Sequence, residues 1–320
     1  LPLTAEGAAA GEVKAGTAYT VVSYNMGFGA YESDYSFFMD GGTESWAWSK
    51  ERLDTNLKNI TELLKEQNAD FYFVEEVDTD ATRSYHRNEA DILRGALTGY
   101  SSVWGQNYDS PFLFWPLTQP HGASESGLMT FSSAPIASSL RRSLPIETGV
   151  MKLVDLDRCY TVSRVPMENG KELVLYAVHL SAYTSDGVIA NEQAEMLLSD
   201  MQSEYEKGNY CICGGDFNKD LLGNSEEVFG ISAGDYTWAQ PLPEELFRDK
   251  NITLVPPLDP ENPVPSCRNA DAPYHEGQYV VTVDGFLVSD NVTVNSATVI
   301  DTGFAYSDHN PVAMTFTLHP

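Results

Sequence analysis

The chain has few cysteines, and it has no long apolar run. Four cysteines occur among 320 residues: Cys159, Cys211, Cys213 and Cys267. Small secreted domains that depend on a disulfide scaffold are far richer in cysteine, so that class is excluded. Cys211 and Cys213 lie in a strand-like run, which favours core positions over metal ligation. No run of 18 or more apolar residues occurs, so the sequence predicts no transmembrane helix.

Basic residues are also scarce. Lys and Arg number 19 against 46 Asp and Glu, which gives a formal net charge of −27. Such a charge repels polyanions at long range, and it disfavours nucleic-acid binding through a broad basic surface. A local cationic site built around a metal ion is still compatible with this composition. The hydrophobic content of 42% is ample for a large core.

The pattern of the chain predicts one domain after a short leader. Residues 1–17 are small, polar and poorly periodic, and we interpret them as a linker left after removal of an upstream segment. Residues 18–320 contain no repeat and no Pro-rich boundary between two cores, so we expect a single catalytic domain there. A removed leader would make the protein secreted or surface-anchored outside the cytoplasm.

Strand and helix signals alternate along this domain. The run "AYTVVSYN" predicts a strand, "SKERLDTNLKNITELLKEQN" a helix and "FYFVEEV" a second strand. Asn169-Gly170 separates two β-rich runs and predicts a hairpin. A helix over residues 188–207 should stop near Gly208, before the strand-like "YCICGGDFN". This order favours an α/β domain with mixed sheets.

Several predicted strands end in polar residues that a strand does not need. The set comprises Asn25, Glu75, Glu76, His179, Asp216, Asn218, Asp284, Asp308 and His309. Taken singly, most of these residues could equally be turn residues or solvated strand ends without a functional role. Asp284 is different, because burying a lone carboxylate in an apolar run is costly unless it is paired. Ligands of open α/β sheets collect at strand ends, so these side chains could converge. Jointly they supply oxygen ligands for a hard cation and histidines for proton transfer, as metal-assisted phosphoester hydrolysis requires.

Six motifs in register carry a family resemblance. In chain order they are "SYNMGFG", "VEEVD", "AVHLSAYTSD", "GGDFN", "VDGFLVSD" and "SDHNPV". Together they resemble the endonuclease/exonuclease/phosphatase superfamily, which includes deoxyribonuclease I-like nucleases and sphingomyelinases. The resemblance implies a four-layer α/β sandwich, in which two mixed β-sheets pack face to face with helices outside.

The resemblance also implies roles. Asn25, Glu76 and Asp308 would hold the cation, expected to be Mg²⁺, with Mn²⁺ or Ca²⁺ as alternatives. Asp216 would orient or deprotonate the attacking water, and Asn218 would position the phosphate or the nucleophile. His179 and His309 would donate hydrogen bonds to the phosphoryl oxygens, and Asp284 would orient His309. Glu75 stands where many members have Gln, and we expect it either behind the ligands or facing solvent.

The sequence indicates the substrate less clearly than the reaction. Residues 31–50 and 104–126 are long and aromatic, and we expect loops that either pack ordinarily or form an apolar wall beside the phosphate site. Arg268 is a candidate phosphate contact or a plain surface arginine. The favoured hypothesis is a monomeric, metal-dependent phosphoesterase, for example a phosphodiesterase, that acts on a small molecule or a lipid headgroup. A secreted nuclease and a non-catalytic binding module are the alternatives.

Overall fold

Two large β-sheets form the centre of the fold. The computed structural model describes residues 1–146, 148–149, 157–182 and 188–320. The strands in chain order are β1 (Pro2–Leu3), β2 (Ala18–Asn25), β3 (Phe71–Ala81), β4 (Ser101–Leu113), β5 (Gly122–Ser132), β6 (Ser138–Ser143), β7 (Cys159–Pro166), β8 (Glu172–His179), β9 (Tyr210–Asp216), β10 (Ile252–Val255), β11 (Cys267–Arg268), β12 (Val280–Val281), β13 (Asp284–Ser289), β14 (Val292–Val299) and β15 (Val312–Leu318). The helices are α1 (Lys50–Gln67), α2 (Glu89–Ala96), α3 (Val188–Glu206) and α4 (Ser225–Phe229).

Both sheets are mixed, as the sequence predicted. Sheet A has the order β1-β6-β7-β8-β9-β13-β10, and sheet B has the order β14-β15-β2-β3-β5-β4. The pairs β8–β9 and β2–β3 are parallel, and the other neighbours within these two sheets are antiparallel. The hairpin predicted at Asn169-Gly170 is confirmed, because it joins β7 to β8 with Pro166 opposite Glu172.

The layers follow from strand periodicity, because alternate side chains point to opposite faces. In β3, Phe71 and Phe73 belong to the core between the two sheets, whereas Tyr72 and Val74 pack outward with residues of α1 and α2. The outer face of sheet A is covered by apolar residues of α3. The order is therefore helices, sheet, sheet, helix, which confirms the predicted four-layer sandwich.

Residues 104–126 form mostly strand, which corrects our expectation of a loop. The hairpin of β4 and β5 extends from Ser101 to Ser132. Between residues 104 and 126 its buried positions are small or polar, such as Ser110, Ser124 and Ser126. Small polar residues at buried positions hide the apolar alternation by which a strand is recognised.

Residues 1–17, which we interpreted as a linker, lie against the domain. Pro2 and Leu3 pair with β6, and Glu6 exchanges backbone hydrogen bonds with Ser102. Val13 is buried in the core between the sheets. This segment adds an edge strand to sheet A through backbone bonding, which its composition does not reveal. Within the described residues, no helix is both long and apolar enough to cross a membrane.

Candidate active site

Strand parity explains why polar residues converge between the sheets. Asn25, His179, Asp216 and Asp284 each stand at the end of a strand, an even number of positions from a residue of the inter-sheet core. The core residues in question are Val21, Ala177, Ile212 and Phe286. Because side chains at even spacing share a face, each polar side chain points into the space between the sheets at one end of the sandwich.

Three of these residues form a row across sheet A. Asp216 is paired in register with His179 on one side and with Asp284 on the other. Directly opposite residues have Cβ atoms about 5 Å apart. Gly214, two residues earlier, leaves room for this arrangement: a Cβ atom there would lie 2.5 Å from the Phe73 ring. The "GGDFN" motif therefore combines close sheet packing with a buried carboxylate.

Sheet B contributes Glu76 through a β-bulge. The register of β3 with β5 shifts between Val74 and Val77, and Glu76 has a φ of +55°. This left-handed conformation, which is uncommon for residues other than Gly, lets Glu76 line the cavity. Glu75 instead continues the inward face of β3 and is fully buried, with Ser23 Oγ donating to its Oε1 atom at 3.2 Å. Because Glu75 is fully buried, the expectation that it could face solvent is wrong. This burial also raises the pKa of Glu75 well above its ordinary range.

The "SDHN" segment supplies two adjacent residues with different surroundings. His309 is buried, and its Nδ1 atom lies 2.7 Å from Asp284 Oδ2. Asp308 is partly exposed and lines the same cavity. The Ser307 hydroxyl donates to the Asn25 carbonyl oxygen at 2.7 Å, which attaches this segment to the end of β2.

Ser266 orients Asp284, and no pattern in the sequence indicates this role. Its hydroxyl donates to Asp284 Oδ2 at 2.7 Å and accepts from the backbone N–H groups of Val283 and Asp284. Asp284 Oδ2 thus receives hydrogen bonds from both Ser266 and His309. The arrangement fixes the carboxylate and, through it, the imidazole ring.

Electrostatics support an imidazolium at His309. Burial would lower the pKa of His309, but Asp284, followed by Cys267, Asp308 and Asp216, holds it well above its ordinary value of 6.5. Burial raises the pKa of Asp284 to about 6, while His309 opposes the rise and Asp216 adds to it. At neutral pH the pair is therefore a carboxylate and an imidazolium.

Asp216 is an ionised acceptor at the centre of the site. Its Oδ2 atom accepts from Asn25 Nδ2 at 3.0 Å and lies 3.3 Å from His179 Nε2 and 3.6 Å from His309 Nε2. Burial would raise the pKa of Asp216, but the two histidines outweigh it and hold the pKa below its ordinary value. Asn218 donates its backbone N–H to Asp216 Oδ1 at 2.9 Å and its side-chain amide to the Leu180 carbonyl at 2.7 Å.

The residues predicted to bind a cation fit a hard divalent ion. Asn25, Glu76 and Asp308 line one cavity and offer one amide and two carboxylate oxygens. Burial raises the pKa of Asp308 to about 7, with His309 opposing the rise and Glu76 adding to it. The like charge of Glu76 thus disfavours the ionised form of Asp308, an effect that a bound cation would offset, and oxygen ligands of this kind suit Mg²⁺.

Asp216, Asp284 and His309 also bring ligand atoms within 4.8 Å of one another, a spacing that could hold a metal. Asp284 and His309 are hydrogen-bonded to each other, however. This trio is therefore better suited to proton handling, and the pair of Glu76 and Asp308 is better suited to the cation.

The structure places Arg268 in a different environment from the surface position considered above. It is 1% exposed, and its terminal nitrogens donate to the carbonyl oxygens of Glu32, Tyr35, Asn269 and Ala272. Its Nε atom is buried and has no hydrogen-bond partner among the described residues. Arg268 therefore holds the loop around residues 32–35. Its contact with a substrate phosphate stays a prediction, and Nε is the nitrogen left to make that contact.

One cavity of about 330 Å³ brings the predicted residues together. Asn25, Glu76, His179, Asp216, Asn218, Arg268, Asp308 and His309 all line it, and Asp284 lies directly behind His309. The aromatic segments also contribute to its lining, with Tyr31, Phe37, Tyr108 and His121. Arg83 and Arg158 also line the cavity and were not predicted, because a buried arginine has no distinctive sequence pattern.

Comparison with known families places this geometry in context. The family model described as "Endonuclease/Exonuclease/phosphatase family" matches residues 22–309. No curated protein sequence matches the chain.

Solved structures share the fold at low sequence identity. An endonuclease/exonuclease/phosphatase from Beutenbergia cavernae DSM 12333 is 17% identical, with a TM-score of 0.60 over 94% of this chain and 72% of that chain. The human Nocturnin catalytic domain with bound sulfate is 18% identical, with a TM-score of 0.57 over 99% and 97%. ANGEL2, a 2′,3′-cyclic phosphatase in complex with adenosine-2′,3′-vanadate, is 16% identical, with a TM-score of 0.61 over 97% and 100%. These similarities show the fold.

Proposed function

The chain belongs to the endonuclease/exonuclease/phosphatase family, whose members are hydrolases of phosphoester bonds, and we propose that it is a divalent-metal-dependent phosphoesterase for a small molecule or a lipid headgroup. The observation that carries this proposal is the position of the Asp284–His309 pair. It lies beside Asp216 and in the same cavity as the acidic pair of Glu76 and Asp308.

The cation set and the proton-handling set have separate tasks. Glu76 and Asp308, with Asn25, would hold Mg²⁺ or another hard divalent cation, which would stabilise negative charge on the phosphoryl oxygens. Two acidic side chains leave coordination positions for substrate oxygens and water, as Mg²⁺ sites commonly do. A non-catalytic binding module would have no need for the second set.

The second set acts on the substrate. His309, held as an imidazolium by Asp284, can donate its Nε2 proton to a phosphoryl oxygen or to the leaving oxygen. His179 Nε2 lies on the other side of Asp216 and can donate a second hydrogen bond. Both donors are positioned before substrate arrives, so little reorganisation accompanies the reaction.

Asp216 acts on the nucleophile, and Asn218 holds Asp216 through its backbone N–H. The ionised Asp216 accepts a hydrogen bond from the water and so orients it toward phosphorus. Because the pKa of Asp216 is held low, it is a weak base, and orientation is its larger contribution. As the new bond from water oxygen to phosphorus forms, the bond from phosphorus to the leaving oxygen breaks, and the leaving oxygen takes up the Nε2 proton of His309. The proton lost by the water then restores the imidazolium of His309.

Charge and cavity shape support a small or lipid substrate over a nucleic acid. The net charge of −27 repels an extended polyanion. The cavity has a volume of about 330 Å³ and is partly lined by aromatic residues, which suits a single phosphate with an apolar neighbour group. A metal-centred site could still engage a few phosphates locally, so nuclease activity is the alternative to be tested.

The test is hydrolysis of bis(p-nitrophenyl) phosphate and p-nitrophenyl phosphate with Mg²⁺ and with EDTA. We expect Mg²⁺-dependent turnover of at least one ester by the wild type and its loss in His309→Ala. A plasmid-nicking assay on the same preparation separates the two candidate substrate classes. Efficient nicking without small-ester turnover would favour the nuclease, and no turnover of either class by folded, Mg²⁺-saturated protein would contradict the proposal.

A further inference from the structure

The hairpin of β4 and β5 ends in an exposed apolar segment, residues 112–117, which we call the tip. Phe112, Phe114, Trp115 and Leu117 are 48%, 73%, 63% and 77% exposed. The rings of Phe112 and Phe114 contact each other at 5.0 Å between centroids, edge to face. Single exposed hydrophobic residues are ordinary, but a contiguous group of this kind marks an interaction surface.

The base of the tip is held firmly. Trp46 Nε1 donates to the Pro120 carbonyl at 2.8 Å, and Ser45 Oγ donates to the Gln119 carbonyl at 2.7 Å. His121 is buried and packs edge-on against Phe37, with 5.7 Å between centroids. The apolar side chains therefore project from an anchored support instead of folding back onto the domain.

The same hairpin forms a wall of the active-site cavity. Asn107 and Tyr108 of β4 and Ser126 and Gly127 of β5 line the cavity, as does His121 at the base of the tip. At about 3.3 Å per strand residue, Phe114 lies within roughly 20 Å of Tyr108 along the chain. A surface bound by the tip would consequently lie close to the cavity.

The charge of the tip indicates what kind of surface it binds. Residues 110–121, "SPFLFWPLTQPH", contain no Asp, Glu, Lys or Arg. Burial lowers the pKa of His121 to about 4, so this residue is neutral as well. An uncharged tip on a chain of net charge −27 has no attraction for an anionic membrane. It suits the interface of a zwitterionic bilayer, where Trp and Phe are favoured at the headgroup level.

A second copy of the chain fits the tip less well. Four partly exposed side chains offer roughly 500 Å², given 150–250 Å² for a whole aromatic residue. A stable protein interface needs about 800 Å² from each partner. A bilayer requires no shape complementarity, so a small apolar projection suffices.

We propose that the tip docks this protein onto a zwitterionic lipid bilayer and so brings the active-site cavity to the lipid headgroups. The docking proposal depends only on the tip. The claim about which bond is cleaved at the bilayer rests on the function proposed above. Phosphoesters of bilayer lipids would then be the substrate class of this protein.

The test is flotation with phosphatidylcholine vesicles in EDTA, where neither turnover nor metal bridging contributes. We expect the wild type to float with the vesicles. The triple variant Phe114→Ser, Trp115→Ser and Leu117→Ser should lose at least about 100-fold in partition, because each large apolar side chain contributes roughly tenfold. Met196→Ser is the matched control, since it removes an exposed apolar side chain from α3, and it should float like the wild type.

A second readout locates the contact. Lipids brominated near the headgroup should quench Trp115 fluorescence in the wild type, and Trp115→Phe should still bind but lose that component of quenching. Absence of vesicle binding by the folded wild type would overturn the proposal. Unchanged binding by the triple variant, or loss of self-association in that variant without any vesicle binding, would overturn it too.

Activity separates the two proposals. The triple variant should keep wild-type kcat/KM on a soluble phosphoester and lose at least tenfold on phospholipid presented in vesicles. Docking without hydrolysis of any phosphoester would refute the proposed function and leave docking intact. Equal loss on the soluble and the vesicle substrate would refute docking as the cause.

Discussion

The Nδ1 atom of His309 lies 2.7 Å from Oδ2 of Asp284, although 25 residues separate them in the chain. Asp284 begins β13 in sheet A, whereas His309 lies just before β15 in sheet B. The bond therefore joins the two sheets at the end where the cavity opens. Asp284 acts through His309 and is a positioning residue in this account.

Asp284→Asn should lower kcat/KM by roughly 10²-fold, because it removes the charge that favours the imidazolium while keeping the shape. His309→Ala should cost at least as much. The double variant should be little worse than the worse single variant, since residues that act as a unit are not additive. Steady-state kinetics of the four proteins, saturated with Mg²⁺, measure this. Two losses that multiply fully would show that the residues act independently.

The pH profile of kcat/KM should be bell-shaped. The pKa of Asp284 is raised to about 6, so activity should fall as pH drops through about 6 and that carboxylate becomes protonated. The pKa of His309 is raised well above 6.5, so activity should fall again as pH rises through it and the imidazolium is lost. In Asp284→Asn the alkaline limb should move to lower pH. An alkaline limb that stays in place would argue against the pairing.

Ser266→Ala should lower kcat by about three- to tenfold with little change in KM, because it removes one of the two hydrogen bonds to Asp284 Oδ2 without changing the cavity lining. It should also reduce the free energy of unfolding by about 1–3 kcal/mol, since buried polar groups lose a partner. Ser139→Ala is the matched control: Ser139 bonds to Ser163 at 2.9 Å, buried and away from the cavity. Equal kinetic effects of the two substitutions would show that Ser266 does not position Asp284 for the reaction.

Glu76→Gln should raise the Mg²⁺ concentration needed for half-maximal activity by about tenfold or more, because it removes one charge from the cation site at constant volume. Isothermal titration with Mg²⁺ gives a readout that does not require turnover. Glu125→Gln, on β5 and outside the cavity lining, serves as the control. Unchanged Mg²⁺ affinity in folded Glu76→Gln would mean that Glu76 is not a ligand.

Most of the fold could be predicted because its elements carry strong local signals. The helix predicted in residues 49–68 is α1, which Ser49 caps by accepting from the Arg52 N–H and which ends at Asn68 in a left-handed conformation. Hairpin β4–β5 escaped prediction because its buried positions between residues 104 and 126 are small or polar. Strand β1 escaped because two residues that pair through backbone atoms leave no side-chain pattern.

The site was partly readable for a similar reason. Asp216 and Asp284 stand at strand ends, where an acidic residue in an apolar run is conspicuous. Ser266 and Arg83 lie in short or irregular segments, and their importance comes from contacts made only in the folded chain. The bulge that turns Glu76 into the cavity is likewise a product of sheet pairing. Strand periodicity alone could not assign different roles to Glu75 and Glu76, and only the family resemblance supplied that assignment.

Hydrolysis in ¹⁸O-labelled water tests the central claim most directly. If water oriented by Asp216 attacks phosphorus in this cavity, one ¹⁸O atom per turnover should appear on the phosphate product in the presence of Mg²⁺, as read by mass spectrometry. The amount of labelled phosphate formed in a fixed time should fall at least about 100-fold with EDTA and in His309→Ala. Label on the alcohol product, or equal labelling of phosphate by wild type and His309→Ala, would contradict the account.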